Sequence, residues 1–144
     1  NINIKNNIKF IFLGNISKSY SEKFKDVLES ENINILPAVE NSELPKYYNA
    51  ADIACWPKHT SLSSLEAASC GLPIIISENV KERVSKGNGI SIREENHNDI
   101  KNAILLLAGD KNLRKVMGEK GREYIKSNYS YDKIAKQFIE LNLN

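Results

Sequence analysis

The stretch CWPKHTSLSSLEAASCGLPIIIS, from Cys55 to Ser77, decides the fold. It begins in a mostly apolar segment and finishes in three consecutive isoleucines, and such β-branched runs are typical of strands covered on both faces of a parallel sheet. Between them, a polar loop leads into a short alanine-containing segment, which Gly71 and Pro73 end in the way that helices end. The stretch therefore predicts a strand, a loop, a helix and a second strand.

The loop before the predicted helix contains three serines that can donate hydrogen bonds, Ser61, Ser63 and Ser64. Because a helix between two parallel strands begins at the carboxyl edge of the sheet, its free N–H groups face the place where α/β folds bind anions. We expect Leu62 and Leu65 to pack this helix on the sheet. The serines are therefore candidate ligands of a phosphate group.

Glu66, early in the predicted helix, has two interpretations. In the first, Ser63 and Glu66 form a capping box, in which the glutamate side chain returns to the backbone N–H of the N-cap residue. In the second, the carboxylate binds the vicinal hydroxyls of a sugar next to a phosphate. The local spacing agrees with both.

The rest of the chain alternates predicted strands with predicted helices. Strands are predicted over 8–13, 33–36 and 90–92, and helices over 19–30 and from Asn41 or Ser42 to Ala50. Three further helices follow, and their apolar residues at helical spacing are predicted to face the core: Ile100, Ala103, Ile104 and Leu107; Leu113, Val116, Met117 and Tyr124; Tyr131, Ile134, Phe138 and Leu141. We expect Gly118 and Gly121 to weaken the second of these stripes. The order predicts an α/β domain over 1–144, with a Rossmann-like, doubly wound parallel sheet and a helical C-terminal tail.

Composition and charge exclude several classes of protein. The net charge of +2 gives no general attraction to nucleic acid or to an anionic membrane, and 41% apolar residues are typical of a globular domain. No apolar run reaches transmembrane length, and no signal peptide is visible at Asn1. Cys55 and Cys70 fall in predicted buried elements, which favours reduced thiols and a cytoplasmic location. His59 and His97 lack partners at metal-ligand spacing, so we expect no metal site.

The segment LEAASCGLPII, from Leu65 to Ile75, resembles the LEAMACGxPVV segment of GT-B-type glycosyltransferases, in particular glycosyltransferase family four. The similarity continues in the family's order through FIFLGN at 10–15, ILPAVENSELPKYYNAADIACWP at 35–57, GNGISI at 87–92 and the terminal helices. The resemblance implies the donor-binding C-terminal domain of a retaining enzyme. Such an enzyme transfers a hexose from a UDP-, GDP- or ADP-sugar to a glycan or glycolipid, as in bacterial polysaccharide biosynthesis, with no cofactor and no obligatory metal.

By this resemblance, Glu66 binds the ribose hydroxyls of the donor, and the loop at Val39 offers main-chain hydrogen bonds to its base. Gly14, at the end of the first predicted strand, lets the backbone approach the donor closely, although a plain strand-end turn explains a glycine there equally well. The resemblance thus favours the sugar-binding interpretation of Glu66 over the capping box.

Lys58 marks a departure from the family pattern, which has a second acid eight positions before the glutamate. One interpretation is a solvated loop lysine. The other is a catalytic role, in which Lys58 neutralises a phosphate or the leaving nucleoside diphosphate. His59 has the same two interpretations, as a loop histidine or as a donor to the sugar or phosphate.

Two further departures concern parts of the family's enzymes that this chain does not match. Nothing before Ile8 resembles the strand and loop whose arginine and lysine hold the diphosphate, so we expect the sheet to lack a central strand unless residues 1–8 or another chain fill the gap. The N-terminal domain that binds the acceptor is also absent. We therefore expect no turnover by this chain alone, and any peripheral contact with the inner face of a membrane to come from the rest of the protein.

Two other functions stay open. One is a non-catalytic α/β interaction domain that kept the scaffold, which Lys58 and the unmatched phosphate-binding strand favour. The other is a related nucleotide-sugar epimerase, which would require further acids and histidines in the cleft.

Overall fold

The computed structural model describes residues 8–58 and 61–142. The chain divides into two compact units, the first ending at Leu44 and the second beginning at Pro45. None of the helices in these described ranges is long and apolar enough to cross a membrane.

The first unit contains a two-stranded parallel sheet and two short helices. Strand β1 (Phe10–Leu13) pairs with β2 (Ile33–Leu36), and Phe10 lies opposite Ile33. Between them, the single helix predicted over 19–30 is two helices, α1 (Lys18–Lys23) and α2 (Lys25–Leu28). The interruption is at Phe24, whose backbone leaves the helical region at φ −117° and ψ 23°.

The second unit is built on a three-stranded parallel sheet in the order β3-β4-β5, with β3 (Ala54–Trp56), β4 (Ile74–Ser77) and β5 (Gly89–Ile92). Every residue of β4 is buried, and its three isoleucines have no exposed surface. This confirms the buried strand that the isoleucine run predicts. Parallel strands with flanking helices likewise confirm the predicted Rossmann-like class.

Helix α4 (Ser63–Ser69) connects β3 to β4, as the sequence predicts. Its carboxyl end is a Schellman motif, in which Gly71 has φ +84° and the N–H of Leu72 donates to the carbonyl of Ala67. Ala67 and Ala68 are fully buried and pack with Leu72 in the core of the unit.

The remaining helical segments are α3 (Leu44–Ala50), α5 (His97–Gly109), α6 (Lys111–Asn128), α7 (Tyr131–Asn142) and 3₁₀ helices at Asn41–Glu43 and Glu78–Val84. The predicted stripe of α5 is confirmed, because Ala103, Ile104 and Leu107 are buried. Asp110 caps α6 as predicted, since its carboxylate accepts a hydrogen bond from the N–H of Leu113 at 2.8 Å.

The inward faces predicted for α6 and α7 are partly wrong. In α6 the buried residues are Gly118 and Gly121, whereas Val116 is exposed. Gly121 lies against the backbone of α4 at Ala68, and Gly118 lies against the backbone of Gly71 just after α4. The two glycines therefore form the contact surface rather than weakening it. In α7, Ile134 and Phe138 are exposed in the described chain. Tyr131 and Leu141 are predicted on the same face, but their side chains are not among those that the structure describes.

Both cysteines are free, and the prediction that both are buried is wrong for Cys55. Cys55 is the middle residue of β3, and it is exposed, whereas Cys70 is half-buried.

Candidate functional site

The candidate site lies in the second unit, at the carboxyl edge of its sheet. Because β3, β4 and β5 are parallel, the segments that follow them meet at the same edge. These segments contribute Lys58, the turn Ser61–Ser64 that leads into α4, and the acidic pair Glu94 and Glu95. We call Ser61–Ser64 the serine turn.

The serine turn is closed by hydrogen bonds between its own residues. The Ser64 hydroxyl donates to the carbonyl of Ser61 at 3.0 Å, and the N–H of Ser63 donates to the Ser61 hydroxyl at 3.3 Å. The hydroxyls of Ser61 and Ser63 also contact each other. Leu62 occupies the N-cap position with no side-chain cap, and 71% of its surface is exposed. The expectation that Leu62 packs on the sheet is therefore wrong.

Arg83, from the 3₁₀ helix after β4, forms two hydrogen bonds with the serine turn. Its Nη1 donates to the carbonyl of Ser61 at 2.9 Å and to the hydroxyl of Ser64 at 2.8 Å. Ser64 is fully buried, so its hydroxyl and this guanidinium are fixed by each other. The sequence does not predict the role of Arg83, because no local pattern indicates a contact between residues 19 positions apart.

Glu66 is exposed on α4 and does not form the capping box. The N-cap is Leu62 rather than Ser63, and the described hydrogen-bond partner of the Glu66 carboxylate is the hydroxyl of Tyr48, which donates to Oε2 at 3.5 Å. Burial, followed by the charge of Glu66, raises the pKa of Tyr48 to about 12, while a hydrogen bond with Ser63 acts in the opposite direction. The tyrosine is thus a hydrogen-bond donor at neutral pH.

Lys58 pairs with an acid from another loop. Its Nζ lies 2.9 Å from Oε1 of Glu95, and both side chains are largely exposed. This hydrogen bond raises the pKa of Lys58 and lowers the pKa of Glu95. Glu95 has φ +60°, a left-handed conformation that costs energy in residues other than glycine. The neighbouring Glu94 accepts a hydrogen bond from the buried hydroxyl of Ser77 at 2.6 Å.

The structure brings Ser61, Ser63, Ser64 and Glu66 together in one turn and the start of one helix. Gly14 and Val39 belong to the first unit. There the N–H of Gly14, directly after β1, donates to the carbonyl of Leu36 at the end of β2, at 3.0 Å. His59 lies outside the described residues. No group of acidic, histidine or cysteine side chains in the described ranges could hold a metal ion.

Comparison with known proteins gives consistent matches. A family model described as glycosyl transferases group 1 matches residues 1–124. An uncharacterised glycosyltransferase of Methanocaldococcus jannaschii, MJ1069, is 37% identical over 84 residues, which are 56% of this chain and 21% of that protein.

Two solved structures share the fold. Sucrose-phosphate synthase from Thermosynechococcus elongatus aligns with a TM-score of 0.79 and 21% identity over 92% of this chain and 37% of its own. A variant of S. aureus TarM, solved with fondaparinux, α-GlcNAc-glycerol and UDP, aligns with a TM-score of 0.81 and 22% identity over 95% of this chain and 29% of its own. The chain thus spans well under half the length of these relatives.

Proposed function

Since the chain belongs to the glycosyl transferases group 1 family, we propose that it binds the nucleotide diphosphate sugar donor of a retaining glycosyltransferase. In this proposal it is the donor-binding part of a longer cytoplasmic enzyme, which transfers a hexosyl group to a glycan or glycolipid held by another domain. The observation that carries the proposal is the position of Glu66, which is exposed beside the serine turn and is not engaged in capping its own helix.

The carboxylate of Glu66 has the chemistry that a ribose diol requires. An ionised carboxylate accepts hydrogen bonds at both oxygens, and charge-assisted bonds of this kind are stronger than neutral ones. The single described bond, from Tyr48, occupies one position on Oε2. Oε1 and the second lone pair of Oε2 therefore remain for the two hydroxyls of the sugar.

The serine turn supplies donors for the diphosphate. In the described part of the chain, the backbone N–H of Leu62 has no hydrogen-bond partner, and the hydroxyls of Ser61 and Ser63 point to each other on an exposed turn. Arg83 brings a positive charge to the carbonyl of Ser61. Fixed donors and charges of this kind stabilise the negative charge that develops on a leaving diphosphate. We propose that these groups and Lys58 stabilise the negative charge of the leaving diphosphate, without an obligatory metal.

The proposal is tested by calorimetric titration of the chain with UDP, GDP and ADP; the UDP bound in the TarM structure makes UDP the first choice. For whichever of these nucleotides binds, we expect Glu66→Ala to weaken the binding free energy by about 1.5–3 kcal/mol, because charge-assisted bonds to the ribose are lost. Glu119→Ala is the matched control, since Glu119 is an exposed glutamate on α6, and its neighbour Gly118 lies against Gly71 beyond the carboxyl end of α4. Equal affinity in the Glu66 and Glu119 variants would contradict the ribose assignment.

The alternative of a non-catalytic interaction domain has one observation in its favour. Lys58 is held by Glu95 at the position where the family pattern has an acid. If neither this chain nor the longer protein that contains it binds any of the three nucleotides, the interaction domain becomes the better proposal.

A further inference from the structure

We propose that Tyr48 is a positioning residue, which orients the Glu66 carboxylate toward the ribose of the donor. This inference rests on the proposed function of Glu66 and adds to it a residue that does not itself contact the ligand. It is carried by the hydrogen bond that joins the two side chains across 18 residues of sequence.

Tyr48 is suited to this role because its two ends have different environments. The ring is half-buried and packs against the core cluster that contains Ala67, Leu72 and Ile74. The hydroxyl reaches out of this packing to Oε2 of Glu66 at 3.5 Å. The core therefore fixes the position of the ring, and the hydroxyl restricts the exposed carboxylate of Glu66 by its hydrogen bond.

An exposed glutamate needs such an anchor. Glutamate loses up to about 2 kcal/mol of rotamer entropy when its side chain is held in one conformation. A donor that restricts the carboxylate before the ligand arrives reduces the part of this cost that falls on binding. A phenol at its ordinary pKa of 10 is already protonated at neutral pH, and the pKa of Tyr48 is raised further, so its hydroxyl is a donor there.

The test is a cycle of variants in which nucleotide affinity is measured by calorimetry. Tyr48→Phe retains the ring and removes the hydroxyl, and we expect it to weaken binding about 3- to 10-fold, as for one lost hydrogen bond. In the Glu66→Ala background, the same change is expected to have a clearly smaller effect, because the hydroxyl then retains only its hydrogen bond with Ser63. Tyr47→Phe is the matched control, since the hydroxyl of Tyr47 makes no hydrogen bond to any residue that the structure describes.

A second readout separates positioning from a general structural role. We expect Tyr48→Phe to reduce the preference of the protein for a ribonucleoside diphosphate over its 2′-deoxy form, whereas loosened packing would weaken both alike. Thermal unfolding of the Tyr48 and Tyr47 variants shows whether the fold is retained.

The outcomes distinguish this inference from the function on which it rests. If Glu66→Ala weakens binding and Tyr48→Phe does not, the positioning role is wrong and the proposed function stands. An equal effect of Tyr48→Phe with and without Glu66 would also overturn the positioning role. If neither variant changes the affinity, the ribose assignment itself fails.

Discussion

Helix α4 meets its surroundings differently at its two ends. Toward the carboxyl end, Ala67 and Ala68 have no exposed surface, and Gly118 and Gly121 of α6 bring a second helix against the backbone there. Toward the amino end, the serine turn and Glu66 keep polar groups at an open edge of the sheet. In seven residues, small side chains fix the helix and polar ones remain available for a ligand. Substitutions at the two ends should therefore change different properties.

We call the packed carboxyl end of α4 the closed end and its polar amino end the open end. The largest effect on stability is expected at the closed end. A Cβ at Gly118 would overlap the carbonyl oxygen of Gly71, which belongs to the backbone and cannot rotate away. We expect Gly118→Ala to lower the free energy of unfolding by about 3 kcal/mol, at the upper end of the range for overpacking, even though alanine favours helix. Denaturant unfolding with a constant m-value would measure it.

Gly109 provides the control for this prediction. It is the last residue of α5, and a Cβ there would meet nothing within 4 Å. Gly109→Ala should therefore be neutral or stabilising by up to about 1 kcal/mol. If Gly118→Ala behaves in the same way, the close packing of α4 on α6 is not what holds the helix.

The closed end also shows what sequence can predict. The isoleucines of β4 and the left-handed Gly71 have local signals, β-branched side chains in a row and a glycine after a helix, and both predictions are confirmed. The role of Gly118 has no local signal, because the partner that requires a small residue lies 47 positions earlier, at Gly71. Helix propensity by itself gave the opposite expectation.

The open end was predicted only in part for the same reason. A run of serines before a glutamate is visible in sequence, and so is the resemblance that favours Glu66. The contacts that arrange them, from Tyr48 and Arg83, join residues 18 and 19 positions apart. Lys58 is similar, since its partner Glu95 is 37 positions away. Sequence patterns identify groups that can do chemistry, whereas the fold decides which groups meet.

A much smaller effect on stability is expected at the open end. Because Glu66 is exposed and does not cap α4, Glu66→Ala should change the free energy of unfolding by less than about 0.5 kcal/mol. Asp110→Ala is the comparison, since Asp110 does cap α6 and its loss should cost about 1 kcal/mol. If thermal unfolding shows that the Glu66 and Asp110 variants lose the same stability, the capping-box interpretation of Glu66 is correct, and the two ends of α4 do not differ in this way.

The smallest effect is expected for Lys58 and Glu95, which are exposed and whose attraction is screened by salt. The pKa of Glu95 is lowered and that of Lys58 is raised, so the contribution of the pair is complete between the two ordinary values of 4.5 and 10.5. It is lost progressively as the pH falls below 4.5 through the lowered pKa of Glu95, or rises above 10.5 through the raised pKa of Lys58. We expect Lys58→Gln and Glu95→Gln to leave the melting temperature unchanged at physiological salt.

Stability measurements do not distinguish the two interpretations of Lys58, as a solvated loop lysine or as a residue that acts on the diphosphate. Measurements of nucleotide affinity do. If Lys58 acts on the diphosphate, Lys58→Gln weakens binding, while Glu95→Gln strengthens it because the lysine no longer has a competing carboxylate. The two effects should then have opposite signs and shrink as salt is added. If both variants bind as the unmodified chain does, Lys58 is a solvated loop lysine, and the proposed binding of the nucleotide depends on the serine turn and Glu66 alone.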